Sequence, residues 1–337
     1  MTSTQKVTAP AVSSRATPKS KLNPSWYLTG VLAGISILVL MSGSLSWAIA
    51  LVVGTTAFWV LMESLTVTLF LHRYMTHGAI GYMRPWLVRW YLWFSRSGMA
   101  KYWEWVQNHA THHELVDTAR DSYTPQAYMI QTSTPALPPL RPWNFWLNAR
   151  AYGRTSKFYR EHPKRLEELA CQYPSIRRAL DRIAQIGWAR QDYGNTGKAT
   201  LINWGLFTIT SLPLAVQLEW WGLLVIAAAP WVMYGVKVVA YLTGGYIINY
   251  YGHQAHDENR HQSDIPWWWQ LPTLFVLGEG WHEQHHDAPF SARFHRWFDP
   301  GWWAIVVQAK LGLMADITVA QRTQVRRKYA PLMLYER

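Results

Sequence analysis

Two long stretches without charged residues dominate the chain and predict membrane-spanning helices. The first runs from Leu22 to Met62 and is about twice as long as the roughly 20 apolar residues that one spanning helix needs. The second begins after Lys198. Residues 42–44 and 219–221 interrupt these stretches as turns. The pattern therefore predicts four transmembrane helices, over residues 26–42, 47–71, 199–218 and 222–250.

The distribution of basic residues predicts the orientation of these helices. The short connections near 42–46 and 217–221 contain no Lys or Arg, whereas the other segments hold every basic residue except Lys237. Because positive residues stay on the cytoplasmic side, we expect both termini to be cytoplasmic, in a bacterial inner membrane. The expected cytoplasmic segments are 1–25, 72–198 and 251–337. Residues 1–25 predict a disordered basic arm, and 26–337 a single membrane domain.

The composition agrees with a membrane protein and excludes several soluble classes. Charged residues make up 15% of the chain, against roughly 25% in an average soluble protein. The net charge of +12 fits contact with anionic lipid or an acidic partner, and the apolar stretches argue against nucleic-acid binding. The single cysteine, Cys171, excludes a disulfide framework and cysteine-ligated clusters within the chain. We expect it to be a buried thiol.

Nine of the 13 histidines form four groups at the predicted cytoplasmic ends of the spans. Residues i, i+3 and i+4 of a helix share one face, so each HxxHH run directs three imidazoles into one small volume. Neutral imidazoles bind metal, and nine of them suit two ions of iron, copper or zinc rather than magnesium or calcium. The predicted ligands are His72, His77, His109, His112, His113, His253, His282, His285 and His286.

The other four histidines fall outside these groups. His162 stands alone before Pro163 and is expected to be a solvated loop residue. His256, His261 and His295 lie near the groups but outside their spacing. We expect these three to lie behind the ligands or on the surface.

The histidine motifs resemble those of the membrane-bound fatty acyl desaturases of the acyl-CoA type. That family carries HxxxxH, HxxHH and HxxHH boxes, with an NxxxH motif that here runs from Asn249 to His253. The Gly-Glu-Gly-Trp run at 278–281 and the acidic stretch that follows His113 also match the family. The resemblance covers roughly residues 26–123 and 199–300. It implies an all-α membrane protein with four transmembrane helices and a cytoplasmic helical cap that holds the dimetal site.

The resemblance also implies roles for individual residues. The nine histidines would hold two iron ions, and Asn249 would complete the shell of one ion through a water. Candidates to accept the free N–H groups of the ligands are Asp117, Asp121 and Glu279. Candidates for substrate contact are Trp103, Lys237 and Trp281.

The implied reaction is O2-dependent dehydrogenation of a long-chain fatty acyl thioester of CoA or acyl carrier protein, or of a lipid, which leaves a carbon–carbon double bond. The sequence has no GxGxxG fingerprint and no cysteine set for a ferredoxin. We therefore expect a separate electron carrier, ferredoxin-, rubredoxin- or cytochrome-like, with its reductase. A related di-iron hydroxylase, acetylenase or fatty acid decarboxylase is an alternative. A non-catalytic membrane metal protein is an alternative from a different class.

The chain departs from the family pattern after the second box. Ser122 stands where proline is usual, and residues 124–160 contain no counterpart of the family's HxGW stretch. A helix pair broken at Pro174 is predicted there instead. The tryptophan-rich segment 86–105 predicts an interfacial amphipathic helix that anchors to lipid or covers an acyl tunnel.

Overall fold

The computed structural model describes residues 24–97, 101–116, 121, 123, 145–187, 189, 196–241, 244, 247–249, 252–253 and 276–320. This part of the chain is mostly helical, as the sequence predicts. The helices are α1 (Pro24–Ser42), α2 (Leu45–Leu65), α3 (Pro85–Ser97), α4 (Tyr102–Leu115), α5 (Phe145–Glu161), α6 (Pro163–Gln172), α7 (Pro174–Gln185), α8 (Thr196–Gln217), α9 (Gly222–Tyr241), α10 (His282–Asp287) and α11 (Pro300–Lys310). The strands are β1 (Ile80–Met83) and β2 (Met314–Ile317).

The apolar helices α1, α2, α8 and α9 pack together, with α8 in contact with each of the other three. A tight turn separates α1 from α2: Gly43 has a φ of 60°, which glycine adopts without steric cost. Ser44 then caps α2 by accepting a hydrogen bond from the backbone N–H of Trp47. A short 3₁₀ turn, Glu219–Trp221, joins α8 to α9. Both turns lie where the sequence predicts them.

Two helices of the described chain are long and apolar enough to cross a membrane: Leu45–Thr76 and Gly197–Gln217. The helical stretches Tyr27–Ser42 and Glu219–Val232 are apolar but shorter. Large apolar side chains on the outside of the bundle are exposed, including Met41 at 78% and Leu223 at 73%. The prediction of four spans remains a prediction, because length and hydropathy alone single out only two.

An aromatic core joins the helix bundle to α3. Trp59 of α2 is fully buried. Its ring centroid lies 5.8 Å from that of Trp93, 5.4 Å from Phe94 and 5.3 Å from Phe207 on α8. Edge-on contacts of this kind are a favourable arrangement of aromatic rings. The segment 86–105 is therefore not one interfacial helix: it is divided between α3 and α4, and Trp93 belongs to the core while Trp86 is exposed.

The second apolar helix does not end at residue 71. It continues from Thr66 to Thr76 as a π-helical segment, in which the backbone N–H of His77 donates to the carbonyl of His72, five residues earlier, at 3.0 Å. Strand β1 follows directly and pairs antiparallel with β2, so that Tyr82 lies opposite Ala315. The hydrophobic pattern predicted neither feature. Both fix the chain around the first histidine motif.

The helix pair broken at Pro174 is confirmed: α6 ends at Gln172 and α7 begins at Pro174. Helix α7 packs against α4 and against the π-helical segment. Arg182 of α7 donates hydrogen bonds to the carbonyls of Tyr74 and Ile80, at 2.6 and 3.3 Å. The expectation of a buried Cys171 is wrong, because this thiol is exposed on α6.

Candidate metal centre

The π-helical segment explains how the HxxxxH pair can serve one site. In an α-helix, residues five apart are separated by about 140° around the axis, since each residue turns the helix by about 100°. A turn closed by i→i+5 hydrogen bonds brings such residues back toward the same face. Here the ring centroids of His72 and His77 lie 4.9 Å apart. π-Helical hydrogen bonding recurs at 247–249, where the N–H of Gly252 donates to Ile247 just before His253.

The two HxxHH runs lie on helices, as their spacing predicts. His109, His112 and His113 belong to the last two turns of α4, and α10 carries the second run, which begins at His282. On α4 the ring centroids of His109 and His113 lie 4.8 Å apart. On α10 those of His282 and His286 lie 4.5 Å apart. Each helix therefore presents its imidazoles on one face.

All nine box histidines converge into two adjacent groups. Within each group the possible ligand atoms lie within 4.8 Å of one another. The rings of His113 and His286, one from each group, stack at a centroid distance of 4.3 Å. The five-histidine group consists of His72, His77, His109, His113 and His285, and the four-histidine group of His112, His253, His282 and His286.

The distances between the ring nitrogens fit ligands that share an ion. Two nitrogens bound about 2.0–2.1 Å from one metal, at about 90–109°, lie about 2.8–3.4 Å apart. In the five-histidine group the Nε2 atom of His285 lies 2.8 Å from that of His72 and 2.9 Å from that of His113. In the four-histidine group the Nε2 of His282 lies 3.0 Å from that of His253 and 3.1 Å from that of His286.

A buried nitrogen without a partner supports the same interpretation. The Nε2 atom of His77 is buried and has no hydrogen-bond partner among the described residues. A buried polar atom in that state costs free energy, about 1–3 kcal/mol, unless something binds it. The residues of both groups thus fit a pair of metal ions held by imidazole.

Two carboxylates fix which ring nitrogen of a histidine faces the centre. Oε2 of Glu279 lies 2.6 Å from Nδ1 of His72, and Oδ1 of Asp121 lies 2.8 Å from Nδ1 of His112. Asp121 is fully buried and also accepts from the backbone N–H of Tyr123 at 2.9 Å. A carboxylate that accepts the Nδ1–H leaves the lone pair of Nε2 free for a metal.

Burial lowers the pKa of several imidazoles of the centre and so favours their neutral form. The pKa of His77 is lowered to about 3, chiefly by burial and also by the nearby guanidinium groups of Arg178 and Arg73. Burial and then the neighbouring imidazoles lower the pKa of His109 and His285 well below the ordinary value. Neutral imidazole is the form that binds metal. These imidazoles therefore add no charge repulsion to the crowded centre at neutral pH.

Glu279 responds to the same environment in the opposite direction. Burial raises the pKa of its carboxyl to about 8; Arg73 opposes this shift and Asp299 reinforces it. A cation bound beside His72 would favour the carboxylate form of Glu279.

The remaining predicted site residues lie in varied places. Asn249 is partly buried in the π-helical turn before His253. Trp103 is partly buried on α4 beside Lys101, whose Nζ lies 5.5 Å from the ring centroid. The ring of Trp281 stacks on His295 at 3.7 Å, and its Nε1 donates to the carbonyl of Phe298.

Several sequence predictions fall outside what the structure describes: Asp117, His256, His261 and the side chain of Lys237. His295 is buried and is not a member of either histidine group; its Nδ1 accepts from the backbone N–H groups of Trp297 and Phe298. His162 is exposed and stacks on Phe158.

Sequence reasoning missed Arg73 and Asp299, which are both buried beside the centre. Nη2 of Arg73 donates to Oδ1 of Asp299 at 3.2 Å. The position of Arg73 in the sequence could have indicated its role, because a cation within the last turn of an apolar helix is costly and marks a functional residue.

Comparison with known proteins agrees with the histidine motifs. No protein-family profile matches the chain. A probable chloroplastic lipid desaturase of Arabidopsis thaliana is 25% identical over 81% of this chain and 66% of its own length. An icosanoyl-CoA 5-desaturase of Limnanthes douglasii is 24% identical over 79% of this chain and 65% of its own length. A sn-1 stearoyl-lipid 9-desaturase of Synechocystis is 33% identical, but over only 23% of this chain and 24% of its own length.

The resemblance to the acyl-CoA and lipid desaturases is therefore confirmed, at low identity but over most of the chain. The chain spans slightly less than two thirds of the length of the first two of these relatives.

Proposed function

We propose that this protein is a membrane-bound fatty acyl desaturase that introduces a carbon–carbon double bond into a long-chain fatty acyl thioester or lipid. The convergence of nine imidazoles into two adjacent groups carries the proposal. The names of the relatives, which act on acyl-CoA or on lipids, support the substrate class. The balanced reaction consumes one O2, two electrons and two protons for each pair of hydrogens removed, and it forms two waters.

The two histidine groups would hold one iron ion each, with Asn249 completing the four-histidine group through a water. When bound, the iron pair supplies the oxidising chemistry with O2. Imidazole also suits zinc and copper, but removal of hydrogen from an unactivated methylene requires a redox-active metal, which excludes zinc. The electrons would come from a separate ferredoxin-, rubredoxin- or cytochrome-like carrier and its reductase.

The protein's own residues shield this chemistry from water. Six of the nine histidines are buried and the other three are partly buried. Aromatic rings lie beside them: Trp105 stacks on His109 at 4.7 Å, and Phe294 lies 4.6 Å from His285. The carboxylates of Asp121 and Glu279 hold His112 and His72 in fixed orientations. A reacting chain held in one position against a dry centre fixes which carbon is oxidised.

The same proposal places residues 26–337 in one membrane domain with four spans and with both termini in the cytoplasm. The apolar outer surface of α1, α2, α8 and α9 would face lipid. The boxes follow the ends of α2 and α9, so the centre would lie just on the cytoplasmic side. An acyl chain in the bilayer could then reach the centre without crossing water, which would cost about 0.8 kcal/mol per CH₂.

Two alternatives share part of this support. A di-iron hydroxylase, acetylenase or fatty acid decarboxylase would use the same centre, because the position of the chain decides the product. A non-catalytic membrane metal protein would need only the histidine groups. The carboxylates that orient the ligands and the names of the relatives favour an enzyme over the second alternative.

The test is lipid analysis after expression in a host with few unsaturated fatty acids. We expect a new monounsaturated acyl chain with the wild-type protein and none with a His285→Ala variant present at the same level in the membrane. A hydroxylated, acetylenic or shortened product would select the corresponding alternative. A chain that binds metal but changes no lipid, in the presence of a working electron carrier, would contradict the proposal.

A further inference from the structure

Arg73 is the most deeply buried cation of the described chain, and in the sequence it lies between the two histidines of the HxxxxH motif. Its side chain is 0% exposed. Nη1 donates to the backbone carbonyl of Ala292 at 2.9 Å, and Nη2 donates to Oδ1 of Asp299 at 3.2 Å. Both partners come from the segment after α10. One guanidinium thus joins the π-helical segment to the chain that follows the last histidine box.

Asp299 makes this connection rigid. Its Oδ1 also accepts from the backbone N–H of Trp302, which caps the first turn of α11, and its Oδ2 accepts from the backbone N–H of Phe294 at 2.7 Å. The backbone of Gly301 closes over the guanidinium: a Cβ there would lie 2.9 Å from both Nη1 and Nη2 of Arg73. The arginine therefore occupies a closed, preformed setting.

Two paths lead from Arg73 to ligands. The first passes through Glu279, whose Oε1 lies 3.9 Å from Nη2 while its Oε2 lies 2.6 Å from Nδ1 of His72. The second passes through Phe294, whose ring lies 3.9 Å below the guanidinium carbon and 4.6 Å from the ring of His285. Both paths end in the five-histidine group.

We infer that Arg73 is a positioning residue for the five-histidine group: it holds Glu279 against His72 and Phe294 against His285, and so sets the affinity of that group for its metal. This inference rests on the proposed function for the identity of the metal as iron. It assigns Arg73 no contact with substrate. It predicts that the two metal sites respond differently when Arg73 is changed.

The experiment measures metal content and affinity rather than turnover. Full-length protein is purified in detergent, loaded with ferrous iron under anaerobic conditions and titrated with a chelator. Chains with and without Arg73→Gln are compared in two backgrounds. The His253→Ala background leaves the five-histidine group intact, and the His77→Ala background leaves the four-histidine group intact. Size-exclusion profiles and thermal unfolding midpoints report folding.

In the His253→Ala background we expect Arg73→Gln to weaken iron binding roughly 10–100-fold, the loss typical when a partner that orients a ligand is removed. In the His77→Ala background we expect it to change iron affinity less than twofold. Arg73→Lys should lose less affinity than Arg73→Gln, because the ammonium keeps the positive charge. Some loss should remain, because the ammonium cannot form the two directed hydrogen bonds of the guanidinium.

Arg84→Gln is the matched control. Nε of Arg84 also donates to a carbonyl of the C-terminal segment, that of Gly312 at 2.8 Å, and Arg84 is exposed. We expect it to leave iron affinity unchanged in both backgrounds. Any of three results would overturn the inference. These are a loss of iron affinity in Arg84→Gln as large as that in Arg73→Gln, an equal loss for Arg73→Gln in both backgrounds, and wild-type iron affinity for Arg73→Gln. If Arg73→Gln does not fold, Arg73→Lys provides the comparison.

The outcome separates this inference from the proposed function. The wild-type chain could bind two ions and show the selective loss described above, while the lipids of the host stay unchanged. That result would support the role of Arg73 and contradict the proposed desaturase activity. A wild-type chain that binds no iron would overturn both.

Discussion

The sharpest test of the metal centre is the carboxylate that supports the four-histidine group. Asp121 is fully buried, and its Oδ1 lies 2.8 Å from Nδ1 of His112 and 2.9 Å from the backbone nitrogen of Tyr123. A hydrogen bond to a charged group contributes about 1.5–3 kcal/mol, and one between neutral groups about 0.5–1.5 kcal/mol. Asp121→Asn keeps an oxygen acceptor and loses the charge, whereas Asp121→Ala loses both.

These values translate into metal affinity. We expect Asp121→Asn to cost about 1 kcal/mol, or roughly fivefold in affinity, because about 1.4 kcal/mol corresponds to a factor of ten. Asp121→Ala should cost about 2–3 kcal/mol, or roughly 30–150-fold, since it also leaves His112 free to rotate. Only the ion of the four-histidine group should be affected.

The assay is chelator titration of the iron-loaded protein, with iron per chain measured by mass spectrometry. Asp181→Ala, which removes an exposed carboxylate of α7, is the control and should match wild type. Equal affinities for Asp121→Ala and wild type would refute the reasoning, as would a loss of both ions together without unfolding.

Three further predictions concern the centre and its support. His285→Ala should abolish turnover and remove one ion per chain while membrane insertion is unchanged, as measured by lipid analysis and membrane fractionation. Gly301→Ala should lower the free energy of unfolding by about 1–3 kcal/mol, because its Cβ would overlap the guanidinium of Arg73; Gly54→Ala, where a Cβ meets nothing within 4 Å, should leave it unchanged or raise it by up to about 1 kcal/mol. Trp59→Ala should lower the free energy of unfolding by about 3–5 kcal/mol, because a fully buried aromatic side chain is lost. Denaturant titration in detergent measures both changes, and a Gly301→Ala or Trp59→Ala variant that unfolds like wild type would contradict the corresponding estimate.

The sequence predicts those parts of the site that depend on local spacing. An HxxHH run places its imidazoles on one face of any α-helix, so the arrangement on α4 and α10 follows from the motif alone. The turns at Gly43 and at 219–221 follow from local composition in the same way. Apolar runs give the starts of the four long apolar helices to within three residues, as the start of α9 at Gly222 shows, but not every end: α9 was predicted to reach residue 250 and ends at Tyr241.

The parts that were missed depend on contacts between distant residues or on an unusual backbone. An apolar run does not distinguish i→i+4 from i→i+5 hydrogen bonds, so the π-helical continuation to Thr76 was predicted as a helix end. The pairing of β1 with β2 and the bond from Arg73 to Asp299 join residues more than 220 positions apart. A single sequence shows that Arg73 interrupts an apolar helix, but it does not show which acid neutralises the charge.

The orientation of the protein in the membrane can be tested with the unmodified chain. Cys171 is the single cysteine of the sequence, and it is exposed on α6, within the segment 72–198 that the charge distribution predicts to be cytoplasmic. A maleimide reagent that does not cross membranes should therefore label the wild-type protein in inverted membrane vesicles, where the cytoplasmic side faces outward. It should not label the protein in intact cells whose outer membrane has been made permeable.

Cys171→Ser is the control for specific labelling, and it should react in neither preparation. Labelling in intact cells would place α6, and with it the middle segment, on the opposite side of the membrane. Because both histidine groups include residues of that segment, such a result would also put the metal centre outside the cytoplasm. The cytoplasmic electron carrier of the proposed function would then be separated from the proposed iron centre, and the proposed arrangement would have to be abandoned.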